Sequence, residues 1–452
     1  MDMKSRMNHG IKREVVGVGV PPEDSSVVLD VERYLSPEFA RREWEKVFAK
    51  TWQIACRVDH VRNKGDFYVF DLGRESILIT HGADGKLRAF YNVCKHRGNR
   101  LVRGQRTGNA PSFGCSYHRW TWNNTGSVKF IPDQETFPGM PDNCSLGLSE
   151  LKLGTWGGFV FVSMDADIES LEKYLDPLQK ILDKYEPERM ALMQDQTVEW
   201  NCNWKVGLDA FNETYHVAAT HPQLLVVIDD YNVHIDCFKK HNSFKVAYGV
   251  PSPRVEDRNT IPEVLGLYMD PTGAVLDGTG KALSSSKAIL EAGAVDPKTF
   301  KGTVDDVRVA VQQTKRANQG KVPFLPYKNL SDAELTDDLH VMIFPNAQFN
   351  VFAENILMFR HRPHPTDPDR SLYDVWYLSH VAPGERPPLP EHQSVSSSKD
   401  DLGLTLSQDA SNVETTQAGM KSRSLKTVYL SELETRIRHF NKVLDEYMKR
   451  PD

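Results

Sequence analysis

The spacing of apolar residues divides the N-terminal part of the chain into helical and strand-like regions. Residues 35–52 (LSPEFARREWEKVFAKTW) carry apolar residues at helical spacing, and Ser36 is placed to cap a helix there. From about 55 to 165 the pattern changes to short strands. These are GDFYVFDLG, ESILITHGADGKLRAFYNV with a turn at residues 82–85, and a buried closing strand in WGGFVFVSM. Residues 168–190 predict helix again.

The C-terminal part mixes strands, helices and two irregular segments. A strand-like TVEWNCNW opens residues 197–225, which then pass into a helix, and residues 338–380 contain the strands HVMIFP, FNVFAE and LYDVWYLSHV. The last stretch, LKTVYLSELETRIRHFNKVLDEYMK, predicts a helix. Residues 250–330 and 382–401 predict irregular chain. The first of these is long enough to be a lid or an insertion, and a variable surface loop is the alternative.

Composition excludes several classes of protein. The 452 residues suggest two to three domains, and 40% hydrophobic with 26% charged residues is typical of soluble globular proteins. A net charge of −6 argues against a nucleic-acid partner, and the lack of an apolar run of about 18 residues argues against a membrane span. Six scattered cysteines predict no disulfide framework, and the N-terminus lacks the apolar core of a secretory signal. The expected location is the cytoplasm.

Residues 94–120 (CKHRGNRLVRGQRTGNAPSFGCSYHRW) contain two Cys/His pairs, Cys94-x-His96 and Cys115-x-x-His118. Three interpretations are open: a structural zinc site, a Rieske [2Fe–2S] cluster in which cysteines hold one iron and histidines the other, or four unrelated core residues. The mixed pairs, the strand-like flanks and the intervening glycines favour the cluster, because zinc fingers usually pair cysteine with cysteine and histidine with histidine.

The same stretch resembles the Rieske signature of the large (α) subunits of ring-hydroxylating, non-haem iron oxygenases. The usual second half reads CxYHGW, and here Arg119 takes the place of the glycine. The 18 residues between His96 and Cys115 indicate a slightly extended loop. The resemblance implies a [2Fe–2S] cluster with Cys94 and Cys115 on one iron and His96 and His118 on the other. Imidazole ligands raise the potential of such a cluster, which suits an electron relay.

A second metal site is predicted within NCNWKVGLDAFNETYHVAATHP (201–222). His216 and His221 are five residues apart, so both imidazoles can face one metal, although many core helices carry such a pair by chance. ETYHVAATHP, preceded by NWK at residues 203–205, resembles the catalytic signature of the same family. The resemblance implies a mononuclear Fe(II) held by two histidines and one carboxylate.

The carboxylate ligand is predicted from LTLSQDASNVETTQAGM (404–420), which resembles a late helix of the family. Asp409 matches the aspartate that completes the iron site, and Glu414 and Gln417 follow at the expected spacing. One alternative is a solvated acid on an amphipathic surface helix. Another is that Asp229 or Asp230, nearer to the histidines in sequence, supplies the ligand.

Glu213 is predicted to link the two metal sites. In the family, the carboxylate at this position bridges a cluster histidine of one subunit and an iron-bound histidine of the next, which implies a path from His118 to His216 of the neighbour. Asp209 is a nearby competitor that lies outside the motif, and its simpler interpretation is a solvated or capping acid. A head-to-tail relay predicts a closed ring, either a homotrimer (α3) or an α3β3 assembly with a small subunit.

The resemblance also implies the architecture, which is an α+β fold. An antiparallel β Rieske [2Fe–2S] domain is expected at residues 51–165. A helix-grip (START-like) catalytic domain with a central antiparallel sheet is expected at residues 166–452, with residues 250–330 as its lid or insertion. Residues 1–50 are expected to form a helical segment that packs on the catalytic domain.

The implied function is that of the terminal oxygenase of a Rieske-type system. Electrons from NAD(P)H would arrive through a ferredoxin and/or a flavin reductase, and O2 would be used to mono- or dihydroxylate an aromatic or other hydrophobic small molecule. Oxidative O- or N-demethylation, or electron transfer without oxygenase activity, are the alternatives. Candidate pocket residues, which could equally face the core, are Leu224, Leu225, Val226, Phe349, Val351 and Phe352.

Overall fold

The structure is a computed structural model that describes residues 17–19, 25–256, 299–321, 323–396 and 404–451. The chain divides into two compact units. A smaller unit comprises residues Trp44–Tyr174, and a larger unit comprises Met1–Glu43 together with Leu175–Asp452. Within the described ranges, no helix combines the length and the apolar character needed to cross a bilayer.

The smaller unit is built from two antiparallel sheets. A seven-stranded sheet has the order β2-β11-β10-β5-β4-β3-β6, and a three-stranded sheet has the order β7-β8-β9. The strands are β2 Gln53–Arg57, β3 Asp66–Leu72, β4 Glu75–His81, β5 Leu87–Tyr91, β6 Thr107–Asn109, β7 Ser112–Gly114, β8 Thr121–Asn123, β9 Val128–Phe130, β10 Glu150–Trp156 and β11 Phe159–Ser163. These positions confirm the strands predicted from GDFYVFDLG, ESILITHGADGKLRAFYNV and WGGFVFVSM.

The predicted turn at residues 82–85 joins β4 to β5. The amide of Gly82 donates to the carbonyl of Lys86, and the amide of Gly85 donates to the carbonyl of Gly82, both at 2.9 Å. Gly85 has φ +82°, a left-handed conformation that glycine adopts without a Cβ clash. The closing strand β11 is buried at all five positions, as expected for a run of apolar residues without alternation.

The larger unit contains one eight-stranded sheet of order β13-β14-β15-β16-β17-β18-β12-β19. All neighbours are antiparallel except β12 and β19, which are parallel. Its strands are β12 Met190–Trp200, β13 His234–Cys237, β14 Asn242–Val246, β15 Asp338–Ile343, β16 Ala347–Val351, β17 Asn355–Pro363, β18 Ser371–His380 and β19 Gln393–Ser396. A two-stranded sheet pairs β1 Val28–Asp30 with β20 Thr427–Tyr429.

Helices complete the α+β fold that the sequence predicted. They are α1 Glu32–Leu35, α2 Pro37–Lys46, α3 Leu171–Leu175, α4 Leu178–Leu182, α5 Trp204–Ala210, α6 Val217–Thr220, α7 Val304–Asn318, α8 Leu404–Met420 and α9 Thr435–Met448. In the larger unit, the apolar side chains of α7 and α8 contribute to two buried clusters that also include residues of the sheet. The fold class is therefore an antiparallel β unit plus an α+β unit with a central, mainly antiparallel sheet.

Several element boundaries differ from the sequence prediction. The helix expected over residues 35–52 ends at Lys46, and a 3-10 turn follows at Phe48–Lys50; the hydroxyl of Ser36 does cap it, accepting from the amide of Phe39 at 3.2 Å. The helix expected over residues 168–190 is split into α3 and α4 around Pro177, which has no amide hydrogen to donate within a helix. The helix expected from residue 425 begins only at Thr435, because residues 427–429 pair with the distant strand β1.

Both segments predicted to be irregular contain regular structure. Within residues 250–330, the described part includes α7, whose N-terminus is closed by reciprocal hydrogen bonds between Thr303 and Asp306. Most of the predicted lid, residues 257–298, lies outside the described residues. Within residues 382–401, β19 adds a parallel edge strand to β12.

Candidate metal centres

The two Cys/His pairs of the smaller unit lie in loops with the same backbone design. In the first loop, the amide of Cys94 donates to the carbonyl of Asn99 at 2.8 Å, and that of Gly98 donates to the carbonyl of Cys94 at 3.0 Å. In the second loop, the amide of Cys115 donates to the carbonyl of Trp120 at 2.8 Å, and the amide of Arg119 donates to the carbonyl of Cys115 at 2.9 Å. The spacing of each pair therefore encodes a tight turn that presents a cysteine and a histidine together.

Arg119 adopts the backbone conformation that its position in the loop requires. Gly98 has φ +78° and Arg119, four residues after its own cysteine as Gly98 is, has φ +62°. A side chain in this left-handed region costs about 1 kcal/mol, which explains why glycine is usual there. The departure from the CxYHGW pattern therefore leaves the loop geometry unchanged.

The side chains of the two loops converge. Cys94 and Cys115 are buried, and the rings of His96 and His118 lie with centroids 4.7 Å apart. The Nδ1 atoms of both histidines are buried, and neither has a hydrogen-bond partner among the described residues. Because buried polar atoms are nearly always paired, two convergent and unpaired nitrogens indicate a missing ligand.

Burial raises the pKa of Cys94, whereas the pKa shifts of Cys115 and His96 favour ligation. Burial raises the pKa of Cys115, but backbone N–H groups of Tyr117 and His118 and the amide of Asn99 outweigh it and leave that pKa below its usual value. Burial, together with the neighbouring His118 and Arg97, lowers the pKa of His96, which favours the neutral imidazole that ligation requires. Two thiols and two imidazoles are the kind of donor set that a Rieske [2Fe–2S] cluster requires.

Two aromatic residues that the sequence did not single out enclose the cluster site. Trp120 stacks on His96 with ring centroids 4.9 Å apart, and Phe137 meets the same imidazole edge-on at 5.8 Å. His96 and His118 are half-buried, and their Nδ1 atoms are among the buried atoms. Trp120 is the tryptophan of the CxYHGW-type signature, and that is the one signal that could have drawn attention to it.

In the larger unit, His216, His221 and Asp409 form one group. Their ligand atoms all lie within 4.8 Å of one another. The Nε2 atom of His221 is 2.8 Å from Oδ1 of Asp409, and Nε2 of His216 is 3.5 Å from the same oxygen. The two histidines flank the single turn of α6, which explains why a spacing of five residues brings both imidazoles to one point.

Asp409 reaches the group because it lies on the buried side of α8. Residues 406, 409, 410, 413, 417 and 420 are the buried positions of this helix, a spacing of three to four residues. Further along, Gln417 accepts from the backbone amide of Asn203 at 3.0 Å, and Glu414 accepts from that of Asn201 at 3.2 Å. These bonds anchor α8 beside the segment that leads to the histidines.

Neighbouring side chains fix the orientation of both imidazoles. Nδ1 of His216 is 2.5 Å from Oε1 of Glu213, and Nδ1 of His221 is 2.8 Å from Oε1 of Gln408. Since both partners accept, each Nδ1 carries a hydrogen, and each Nε2 lies towards Asp409. Burial lowers the pKa of His216, but the charges of Glu213 and Asp409 outweigh it and raise the value to about 9. Such a site attracts a cation, and its two-histidine, one-carboxylate donor set fits ferrous iron.

Other carboxylates near the histidines have different partners. Asp230 binds Arg254 at 2.9 Å, and Asp229 accepts from the backbone amides of Tyr231 and Asn232. Glu213 also accepts from the backbone amides of Tyr215 and His216.

The sequence reasoning missed Gln408, although it directly precedes Asp409 in the matched motif.

Asp209, the competitor of Glu213, is not the solvated or capping acid of its simpler interpretation. It accepts a hydrogen bond from the hydroxyl of Tyr34 at 2.7 Å, and burial raises its pKa to about 7. It contributes to a second cavity of about 290 Å³ that Glu213, His216 and Asp409 also line.

A cavity of about 150 Å³ is lined by His216, His221 and Asp409 together with residues of the sheet. Of the candidate pocket residues, Leu224 and Phe352 line it. Leu225, Val226, Phe349 and Val351 are not among its described lining residues. Phe349 and Val351 alternate with Asn350, which does line the cavity, so the pleat of β16 turns them to the opposite face of the sheet.

Comparison with known proteins connects both sites to known domains. Residues 51–142 match the Rieske [2Fe-2S] domain, and residues 187–450 match the catalytic domain of the ring-hydroxylating alpha subunit. The glycine betaine monooxygenase oxygenase subunit of Pseudomonas aeruginosa (strain UCBPP-PA14) is 29% identical over 202 residues, 45% of this chain and 46% of that protein. The biphenyl 2,3-dioxygenase alpha subunit of Rhodococcus jostii (strain RHA1) is 30% identical over 198 residues, 42% of this chain and 43% of that protein. The chain thus spans less than half the length of these curated relatives.

Solved structures show the same fold over nearly the whole chain. A quaternary ammonium Rieske monooxygenase superposes with a TM-score of 0.67 at 18% identity, covering 96% of this chain and 100% of that one. Naphthalene 1,2-dioxygenase from Rhodococcus sp. gives 0.62 at 19% identity, covering 94% and 95%. The matched domains are those of a Rieske [2Fe–2S] cluster and a mononuclear iron, which are therefore the cofactors. The chain belongs to the family of ring-hydroxylating alpha subunits.

Proposed function

We propose that the chain is the terminal oxygenase component of a Rieske-type system, a non-haem iron mono- or dioxygenase. The observation that carries this proposal is the convergence of His216, His221 and Asp409 beside an open cavity, in a chain that also holds a Rieske-type donor set. An electron carrier would need the cluster residues only. A buried group of three metal ligands facing a cavity supports chemistry on a small molecule instead.

Cys94 and Cys115 are proposed to hold one iron of the cluster, and His96 and His118 the other. His216, His221 and Asp409 are proposed to hold the mononuclear iron. When bound, the cluster supplies single electrons and the ferrous ion activates dioxygen for insertion into a bound substrate.

The remaining residues of the site act by positioning and by excluding water. The carboxylate of Glu213 and the amide of Gln408 keep both imidazoles in the tautomer that leaves Nε2 free to ligate. Loss of such partners typically costs 10- to 100-fold in metal affinity. The apolar lining of the cavity, which includes Phe244, Val246 and Phe352, keeps bulk water from the reacting atoms.

Glu213 is further proposed to connect the sites of two subunits, from His118 of one protomer to His216 of the next. Its Oε1 already accepts from His216, and the adjoining Tyr215 is exposed, so this short segment is accessible to a neighbouring protomer. A relay of this kind requires a closed ring, for which we propose a homotrimer or an α3β3 assembly. Electrons would come from NAD(P)H through a ferredoxin and/or a flavin reductase.

The substrate is proposed to be an aromatic or other hydrophobic small molecule, with a role in aromatic catabolism. The aromatic side chains that line the cavity support this class: Phe211, Phe244, Tyr248, Phe352 and Phe359. Oxidative O- or N-demethylation is the second candidate, and it is favoured by the similarity to a glycine betaine monooxygenase subunit. A cytoplasmic location is consistent with the six cysteines, all in the described part of the chain, because no disulfide joins any two of them.

Metal and sulfide analysis tests the proposal. Wild-type protein should contain about three irons and about two sulfides per chain, whereas an electron carrier would contain about two irons. Asp409→Ala should lose one iron and all turnover with a surrogate reductase but keep the cluster spectrum. Asp229→Ala is the matched control, because that carboxylate accepts from the backbone amides of Tyr231 and Asn232 and from the side chain of Asn232, and it should keep all three irons. An Asp409→Ala protein with full iron and activity would show that another residue is the ligand.

The cluster ligands can be tested in the same way. Cys94→Ser should abolish the visible absorbance of the cluster, whereas Cys144→Ser, a substitution at the exposed cysteine, should leave it intact. Equal loss from both variants would contradict the assignment.

A further inference from the structure

One face of the larger sheet forms a floor of the cavity beside the iron-binding group. Side chains two residues apart on a strand share a face, and the pairing of β14, β15, β16 and β17 aligns them across strands. His340 lies directly between Phe244 and Asn350 in this alignment, and Asp338 lies beside Val246. All five of these side chains line the cavity. The floor is therefore apolar except at Asp338 and His340 on β15 and Asn350 on β16.

The tautomer of His340 is fixed by a buried arginine. Nη2 of Arg436, on α9, is 2.9 Å from Nδ1 of His340. A guanidinium can only donate, so Nδ1 must accept and the ring hydrogen must be on Nε2. Arg436 is itself held by Asn242, whose Oδ1 accepts from Nε at 2.6 Å, and it lies over the ring of Phe244 at 4.3 Å.

Two polar atoms of this floor have no hydrogen-bond partner in the part of the chain that the structure describes. His340 is 3% exposed and Asp338 is 7% exposed, and both line the cavity. Nε2 of His340 and Oδ1 of Asp338 are buried without a hydrogen bond to any residue that the structure describes. Nor is a cationic side chain of the described chain within ion-pair distance of Asp338. Buried polar atoms are almost always paired, so an unpaired donor and an unpaired acceptor facing one cavity indicate a ligand that supplies both partners.

The charges of the floor favour a cationic ligand group at Asp338. Arg436 donates through Nε to Asn242 and through Nη2 to His340, whereas its buried Nη1 has no hydrogen-bond partner among the described residues. Burial raises the pKa of Asp338 well above the usual value and outweighs the attraction of the nearby Arg436 guanidinium, so a further cation beside the carboxylate would stabilise its charged form. The rings of Phe244, Tyr248 and Phe352 also line the cavity, and aromatic faces attract cations.

We propose that Asp338 and His340 determine substrate specificity by selecting an aromatic compound with a protonated amine and a nearby oxygen. The amine N–H donates to Oδ1 of Asp338, and the oxygen, as a hydroxyl or carbonyl, accepts from Nε2–H of His340. Arg436 is a positioning residue that keeps His340 in its donor tautomer. This inference rests on the proposed function, because it names the substrate class of the same cavity.

Ligand binding without turnover tests the inference. Isothermal titration of the holoprotein under anaerobic conditions would compare 2-phenylethylamine with its neutral isostere 2-phenylethanol and with phenylacetate. We expect the amine to bind about 10- to 100-fold more tightly than the alcohol, the range for a charge-assisted hydrogen bond. 2-Amino-1-phenylethanol should bind more tightly still. Equal binding of amine and alcohol, or tighter binding of phenylacetate, would overturn the proposal.

Variants then assign the preference to residues. Asp338→Asn, which is isosteric, should remove the preference for the amine and change the affinity for the alcohol less than about twofold. Asp337→Asn is the matched control, since the neighbouring carboxylate pairs with Arg308 at 2.7 Å, and it should keep the preference. His340→Phe should remove only the additional affinity for 2-amino-1-phenylethanol. Cluster absorbance establishes that each variant is folded.

The outcomes separate this inference from the proposed function. If amines bind preferentially but are not oxidised when any surrogate reductase supplies electrons, the pocket assignment is retained and the result counts against the oxygenase. Turnover of neutral aromatics without a preference for amines would retain the oxygenase and remove the role of Asp338. Retention of the amine preference in Asp338→Asn would likewise remove it.

Discussion

The ion pair between Lys205 and Glu43 is buried so completely that breaking it should unfold the larger unit at lower temperature. Nζ of Lys205 lies 2.9 Å from the Glu43 carboxylate, and the two side chains are 0% and 1% exposed. The ammonium also lies within 5.1–5.7 Å of the ring centroids of Trp204, Phe39 and Tyr34. Burial raises the pKa of Glu43 and lowers that of Lys205, so desolvation of each charge outweighs their mutual attraction.

The loss of stability on breaking the ion pair follows from these opposing effects. Lys205→Met leaves the Glu43 carboxylate buried and uncompensated, and breaking a buried pair in this way typically costs about 3–5 kcal/mol. At about 2 °C per kcal/mol, the low end for large domains, the unfolding midpoint should fall by about 6–10 °C. Replacing both residues removes both desolvation penalties, so Lys205→Met combined with Glu43→Leu should be less destabilised than either single variant.

Thermal unfolding followed by circular dichroism measures these shifts. The matched control is Glu38→Gln on the same helix, where the pair with Arg41 has a similar separation, 2.7 Å, but is 64% and 61% exposed. Exposed pairs contribute about 0–1 kcal/mol, so this midpoint should move by less than about 2 °C. If Lys205→Met shifts the midpoint no further than Glu38→Gln does, or if the double variant is the least stable of all, the reasoning is wrong.

Three further predictions concern the sites. Glu213→Gln keeps a hydrogen-bond acceptor for His216 but removes its charge, so both metals should bind while single-turnover oxidation of the reduced cluster slows; an unchanged rate would contradict the bridging role. Asp209 has a pKa of about 7 in the folded chain, above its unfolded value, so its ionisation lowers stability as the pH rises from about 4 through 7. Asp209→Asn should therefore unfold at a higher temperature than wild type at pH 8 but not at pH 4. The gain in the free energy of unfolding at pH 8 should be at most about 4 kcal/mol, and an equal difference at both pH values would refute this. Arg119→Gly removes a side chain from a residue with left-handed backbone. It should raise the free energy of unfolding of the smaller unit by at most about 1 kcal/mol and leave the cluster spectrum unchanged; a lost spectrum would show that the arginine is needed.

The parts of the molecule that could be predicted from sequence are those encoded over short distances. The Cys/His loops are closed by bonds that span four or five residues, so the motif itself specifies the geometry. The strands β3, β4 and β5 of the smaller unit are hairpin neighbours, whereas β2, β6 and β10 also pair with strands that are distant in sequence. Asp409 lies 188 residues from His221, and only the resemblance to a known motif connected it to the histidines. Spacing alone could not, because the helix that carries Asp409 is positioned by contacts with Asn201 and Asn203.

The composition of the cavity shows why the remaining features could not be predicted. In FNVFAE, apolar residues occupy both faces of the strand, so the sequence does not indicate which face meets the ligand. The register of β16 against β15 decides it, and that register places Asn350 rather than Phe349 beside His340. The partner that fixes His340 is 96 residues further along, on a helix whose start the sequence predicted about ten residues too early. Polar residues such as Asp338 and His340 look like ordinary positions of a half-exposed strand until the sheet order encloses them. Their functional meaning comes from burial without a partner, a property that exists only in the folded chain.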